Sequence, residues 1–331
     1  MTLRCIAVLG ANSFAGAGFV PTALDMAERV IGINRSVEGP DYFLPYRSHP
    51  RRQAYQFLQA DINLDADRIL KILDEHRPEV ILDLAGQGMV AESWQDPAQW
   101  YRTNLLAKTA LMEHLRRCNW LERYVRVSTP EVYGSHDQLI EEDAPYRPST
   151  PYAISHAAID MHAGALHRQY GFPVNLARFA NFYGPGQQLY RIVPRSILYS
   201  KAGKRLPLHG GGTSVRAFIH VRDVADALRR VIETGRVGEI YHFSPREFLS
   251  IREAVSHICA QLGQSLETLA EVSPDRAGKD HAYLMASHKA RDLLGWTDRH
   301  DFSTGVRQTI DWIDTYFAAM QTRSWDYQHK P

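Results

Sequence analysis

Cysteine is scarce. Cys5, Cys118 and Cys259 are the only three, they stand far apart, and no two share a CxxC spacing. That excludes a disulfide framework and a zinc ribbon, and it suits a reducing, cytoplasmic setting with no metal site. An excess of either charge is also missing. Lys and Arg total 38 against 37 Asp and Glu, a formal net charge of +1, which argues against a dedicated nucleic-acid or membrane-surface binder. No apolar run approaches the ~18 residues of a membrane span. Met1–Leu9 has no signal-peptide layout, and no internal repeat or low-complexity linker interrupts the chain. What remains is an ordinary globular composition, 44% hydrophobic over 331 residues, enough for one large or two intimate domains.

Hydrophobic patterning supplies the fold class. Cys5–Leu9 is a short apolar run with glycine directly after it, the mark of a strand buried on both faces. Further strands are predicted over Val30–Ile33, Tyr55–Leu58, Val80–Leu84, Tyr124–Ser128 and Val174–Phe179. Helices alternate with them: Phe14 to about Glu28, Asp65–His76, Trp100–Arg117 and Pro151–Tyr170. Such alternation predicts an α/β chain with a Rossmann-type, doubly wound parallel sheet. After Gly184, prolines and glycines break the pattern, which suits a smaller, partly discontinuous C-terminal substrate domain. Phe218–Val221 and Ile240–Phe243 are expected to rejoin the sheet. The division is therefore 1–178 with about 216–243 for dinucleotide binding, and 179–215 with 244–331 for substrate.

Gly10-Ala11-Asn12-Ser13-Phe14-Ala15-Gly16 lies between the first strand and the first helix. A doubly wound sheet binds a dinucleotide there, because missing side chains admit the pyrophosphate and the helix N-terminus supplies donors. Ser13 stands where a middle glycine is usual. Alone, the loop is a weak signal, with a plain strand-to-helix turn as the lesser alternative. The second strand ends in Asn34-Arg35-Ser36, with no acid to hold the ribose hydroxyls. Arg35 is suited to pair with a 2′-phosphate, which tilts NAD(P) towards NADP; stacked on adenine, it would suit NAD as well. Asp61-Ile62 either contacts adenine or caps a loop.

Beyond these, the chain carries Thr103-Asn104, Ser128-Thr129-Pro130-Glu131-Val132-Tyr133-Gly134 and Pro151-Tyr152-Ala153-Ile154-Ser155-His156. There follow Asn181-Phe182-Tyr183-Gly184-Pro185-Gly186, Arg216-Ala217-Phe218-Ile219-His220-Val221-Arg222-Asp223-Val224 and Asp275-Arg276-Ala277-Gly278. With these segments the chain resembles the extended short-chain dehydrogenase/reductase family over nearly its whole length. It is most similar to the nucleotide-sugar 4,6-dehydratase branch, with decarboxylases and 4-epimerases nearby.

The resemblance implies a cofactor set of Gly10, Asn12, Ser13, Phe14, Gly16, Asn34, Arg35, Asp61, Ile62, Leu84, Ala85 and Asn104, joined by Tyr152 and His156. It implies a tyrosinate base at Tyr152, with Ser128 and Thr129 beside the sugar hydroxyl that is oxidised, usually at C4. A phenol of pKa ~10 needs a nearby cation to ionise near neutrality. The family uses a lysine four residues on, and here His156 stands in its place. Three readings follow: a substitute partner, a retuned site, or an impaired enzyme that mainly binds. The acid of the dehydratase Asp-Glu pair is also gone, leaving Pro130-Glu131. Glu131 is suited to take the C5 proton once C4 is a ketone, and another acid, water or His136, would have to serve the leaving group.

On the substrate side, Asn181, Arg191, Arg216 and Arg276 fall on positions that resemble diphosphate and sugar contacts, where guanidinium forks suit phosphate oxygens. Phe182 replaces an asparagine that often contacts the cofactor, and His209, Tyr183 and Tyr190 are further lining candidates. The implied function is oxidation of a nucleotide-diphosphate sugar, with dehydration leading and epimerisation, decarboxylation and net redox still open. From another class, the rival is a cofactor- or sugar-binding regulatory protein. A homodimer is implied, joined through Trp100–Arg117 and Pro151–Tyr170.

Overall fold

The computed structural model describes residues 2–274 and 282–330. The chain begins with β1 (Leu3–Leu9), buried without a break from Cys5 to Leu9. A strand with neighbours on both sides and helices over both faces requires such a run. In α1 (Phe14–Met26), Ser13 is the N-cap and its hydroxyl accepts from the Gly16 amide. Next come β2 (Ala27–Asn34), β3 (Tyr55–Gln59), α2 (Ala66–His76) and β4 (Val80–Asp83). α3 (Pro97–Tyr101) then passes through a π turn, Arg102–Leu106, into α4 (Ala107–Leu115).

After β5 (Arg123–Ser128), the next helix starts at the end of the run Pro148-Ser149-Thr150-Pro151. The Thr150 hydroxyl accepts from Ala153, Pro151 opens α5 (Pro151–Tyr170), and Gly171 closes it in a left-handed conformation. β6 (Val174–Phe179) precedes the proline- and glycine-rich stretch. There lie β7 (Asn181–Tyr183), α6 (Ile192–Lys201), β8 (Leu206–His209), β9 (Val215–Arg216) and β10 (Phe218–His220), then α7 (Val221–Thr234) and β11 (Ile240–Phe243).

Seven strands form one parallel sheet in the order β3-β2-β1-β4-β5-β6-β11. This is the doubly wound architecture, and the strand order reverses between β1 and β4, where a ligand crevice opens. One face packs Val8, Val30, Leu82 and Val125 under Phe19 of α1 and Leu228 of α7. The other packs Ala7, Ile31 and Ile81 under Leu73 of α2, Leu111 of α4 and Ile159 of α5. A separate cluster joins Tyr183, Val193 and Ile197 to Val306, Ile310 and Ile313 of the helix Phe302–Gln321.

Two expectations need correction. Phe218–Val221 does not rejoin the sheet: β10 pairs with β7 instead, Phe218 facing Asn181 and His220 facing Tyr183. The edge of β6 is already taken by β11, and Val221 belongs to a helix that His220 caps. Trp100–Arg117 is not one regular helix, because the π turn interrupts it. No described helix is long and apolar enough to cross a membrane.

Candidate active site

The crevice starts at Gly10. Its φ is +81°, and a Cβ there would sit 2.7 Å from the Leu84 carbonyl carbon and 2.8 Å from the Ala85 nitrogen. Only glycine fits both the conformation and the approach of the loop after β4. A cavity of about 120 Å³ opens beside it, lined by Gly10, Ser13, Asn34, Arg35, Asp61, Ile62, Leu84 and Ala85 among others. Eight residues named from the sequence thus share one hollow, next to the N-terminus of α1. A bare turn between strand and helix needs no such hollow, so the residues present fit a dinucleotide.

Around the rim, Asn34 and Asn12 are locked together: the Asn12 amide donates to Asn34 Oδ1 (3.4 Å), and both side chains donate to the Ser36 carbonyl. Asp61 caps its own loop, accepting from Asn63 at 2.7 Å, and also lines the hollow. Phe14 is buried at the start of α1. Arg35 reaches Gln87 Oε1 (3.3 Å) and the Lys330 carbonyl (3.1 Å), which Gln87 Nε2 also meets at 2.9 Å. Lys330 therefore comes to the rim of the hollow, with His329 stacked on Trp100. Asn104, fully buried in the π turn, holds the Gln87 amide (2.7 Å), the Gln87 carbonyl (3.0 Å) and Ser155 Oγ (3.0 Å). A π turn that aims one buried amide at both the β4 loop and α5 is a local irregularity of the kind found at functional sites.

Tyr152 is half-buried on the first turn of α5. Its phenol is hydrogen-bonded with Thr129, whose oxygen also accepts from the Glu131 amide at 3.2 Å. Burial pushes the phenol above its ordinary range and Glu131 adds to this; the Thr129 bond, Arg191 and Arg126 pull the other way. The His156 ring lies 4.6 Å from that of Tyr152, centroid to centroid. Burial first, and then the cations Arg126 and Lys108, hold the imidazole well below its ordinary value, so it is neutral.

Ser128 faces inward and donates to Asp160 at 2.5 Å. It joins a buried ionic row that sequence reasoning missed. Asp83 of β4 lies opposite Arg126 of β5, Ser128 lies opposite Arg178 of β6, and Arg178 lies opposite His242 of β11. Lys108 of α4 pairs with Asp83 at 2.5 Å, and Asp160 of α5 takes Arg126 (3.0 Å) and Arg178 (3.0 Å). Arg178 also donates to the hydroxyls of Tyr133 and Tyr146. Burial lowers Lys108 to about 8 against the pull of Asp83, with Arg126 adding to the depression. Burial alone would raise Asp83, but Lys108 and Arg126 outweigh it and hold it low.

Other sequence candidates lie further out. Arg191 caps α6, exposed, over the ring of Tyr190 at 5.3 Å; Arg216 donates to Val215 and lies 4.5 Å over Tyr283; Asn181 is exposed on β7. Tyr183 is fully buried and donates to Asp301, which makes it a core residue and no pocket lining. His136 turns Nε2 onto the Tyr133 carbonyl, so that nitrogen is engaged. Arg276 lies outside the described residues.

A doubly wound sheet with a glycine cradle, and a tyrosine over the neighbouring strand ends, defines a dinucleotide-binding α/β protein. The chain belongs to the NAD dependent epimerase/dehydratase family, whose model matches residues 6–243. It is 32% identical, over 93% of its length and 92% of the relative's, to a dTDP-glucose 4,6-dehydratase of Xanthomonas campestris. Among solved structures it is similar to the dTDP-glucose 4,6-dehydratase DesIV of Streptomyces venezuelae with NAD and TYD bound, at TM-score 0.87 and 30% identity, covering 96% and 98% of the two chains. A UDP-glucuronic acid 4-epimerase of Bacillus cereus, 24% identical with TM-score 0.84 over 94% and 99% of the chains, shares the fold.

Proposed function

We propose that this NAD(P)-dependent, nucleotide-sugar-modifying enzyme oxidises its sugar at C4 and eliminates water from the resulting ketone. The observation that supports this reading is the grouping of Thr129, Glu131 and Tyr152 just after β5 and on the first turn of α5. A nicotinamide held beside Gly10 would supply an acceptor, and afterwards a donor, for the hydride of the sugar carbon. Tyr152, hydrogen-bonded with Thr129, accepts the hydroxyl proton, and Thr129 orients that hydroxyl. Glu131 takes the C5 proton, which the adjacent ketone acidifies; the C6 hydroxyl leaves and is protonated to water. With Pro130 in the acid's place and His136 Nε2 on a carbonyl, that last proton comes from solvent. Arg191, Arg216 and Arg276 are suited to the diphosphate, with Asn181 at the sugar.

Incubating the purified protein with a panel of nucleotide sugars and reading products by mass spectrometry tests this. Loss of water supports it. Unchanged mass with altered chromatography means epimerisation, loss of carbon dioxide means decarboxylation, and binding without turnover means a regulatory protein.

Cofactor choice rests on Arg35. Exchange of its contacts with Gln87 Oε1 and the Lys330 carbonyl for a 2′-phosphate would make a stronger, charge-assisted bond, so NADP is our reading. Arg35→Ala is expected to weaken NADP binding by about tenfold or more and NAD binding far less, measured by calorimetric titration. Wild-type protein that binds NAD the more tightly would reverse the assignment.

The homodimer also belongs here. Ile154 and Met161 are exposed (42% and 58%) two turns apart on one face of α5, and the neighbouring π turn exposes Leu106 (61%). Such a stripe suits a second copy packing helix against helix. Met161→Glu is expected to yield a folded monomer by sedimentation, while the wild type runs as a dimer.

A further inference from the structure

His156 cannot carry the positive charge that a lysine would bring. Its Nδ1 stands 3.0 Å from Arg126 Nη2, and a guanidinium nitrogen only donates, so Nδ1 must accept. An imidazolium has no lone pair to offer there. The contact therefore fixes the neutral tautomer, with the proton on Nε2. The ring is 8% exposed and stacked obliquely against Tyr152.

The charge lies one layer deeper. Lys108, Arg126 and Arg178 are fully buried with two carboxylates, Asp83 and Asp160, around them. Three cations against two anions leave a surplus of one positive charge, and His156 is the neutral link between Arg126 and Tyr152. A guanidinium keeps its proton at every physiological pH.

We propose that Arg126 is a positioning residue that divides the work of the absent lysine with His156: Arg126 supplies a fixed positive charge to the Tyr152 phenolate, and His156 turns Nε2–H outward as a donor to the ribose of the cofactor. This rests on Tyr152 being the base. The groups facing His156 are Arg126 on β5, Lys108 on α4, Asp83 on β4, Arg178 on β6, and Tyr152 and Asp160 on its own helix; Glu131 and Arg191 face Tyr152 from the other side. Burial first, and then Arg126 and Lys108, oppose an imidazolium here, and Arg126 Nη2 already occupies Nδ1, so the imidazole stays neutral.

The test needs no substrate for its first part. Protein labelled with ¹⁵N-histidine, with His156→Gln identifying the signal, is titrated from about pH 5.5 to 7.5, without cofactor and then with NAD. A single neutral Nε2–H form throughout is expected; a ring that protonates with a midpoint near its ordinary ~6.5 overturns the proposal. The second part follows the tyrosinate absorbance of the holoenzyme, with Tyr152→Phe as the blank. Arg126→Gln should raise the Tyr152 midpoint by about a unit or more, and Arg126→Lys should restore most of it. His156→Gln should weaken cofactor binding and leave the midpoint nearly unmoved. A folded Arg126→Gln protein with an unchanged midpoint overturns the proposal, and if that variant does not fold, the histidine spectrum of the wild type still decides. Failure of every nucleotide sugar to turn over would refute the proposed function instead, since neither readout depends on turnover.

Discussion

Tyr152→Phe is expected to abolish sugar oxidation, lowering turnover by about 10²–10⁴-fold, the range for removing a positioned general base. Cofactor affinity should change little, because phenylalanine keeps the ring against His156 and loses only the hydroxyl bonded with Thr129. Stopped-flow absorbance of the reduced nicotinamide, with and without substrate, separates the two effects. Glu131 is the internal control. In Glu131→Gln, reduction of the nicotinamide should survive while water loss fails. A Tyr152→Phe enzyme that still reduced its cofactor at the wild-type rate would remove the tyrosine from the chemistry.

The second large effect concerns stability. Asp160 is the only carboxylate that meets both Arg126 and Arg178 among the described residues, and it also takes Ser128. Asp160→Asn leaves two fully buried guanidinium groups short of a counter-charge. Breaking a buried pair from one side costs about 3–5 kcal/mol, a large share of what holds a domain of this kind together. Denaturant titration and the thermal midpoint should both record it. A loss below about 1 kcal/mol would mean that the row is wetter and weaker than its burial implies.

Much of the architecture could be read from the pattern of side chains. β6 and α5 fall where the apolar run Val174–Phe179 and the proline and threonine before Tyr152 place them. Elsewhere, tertiary partners overrode local signals. The apolar spacing of Trp100–Arg117 says helix, and only the buried amide of Asn104 requires the π turn within it. Phe218–His220 has strand character, but which strand it joins is decided by the occupied edge of β6.

The hollow beside Gly10 was legible because glycine at a strand end leaves few alternatives. The ionic row was visible in principle. Asp83, Arg126 and Arg178 interrupt three stretches read as buried strands, and a charge so placed needs a partner. Which partners, and that Lys108 is among them, needed three dimensions, since 25 residues of sequence separate it from Asp83. Ser128 illustrates the converse. Its motif position suggests the cleft, and its hydroxyl instead serves the layer below.

That layer constrains what position 156 can hold. A lysine there would set an ammonium against the Arg126 fork, at the point where the imidazole accepts from it, with both oxygens of Asp83 and of Asp160 already engaged. Residues 83, 108, 126, 156 and 160 are therefore coupled through direct contacts, and a lysine at 156 is accommodated only if its neighbours change with it.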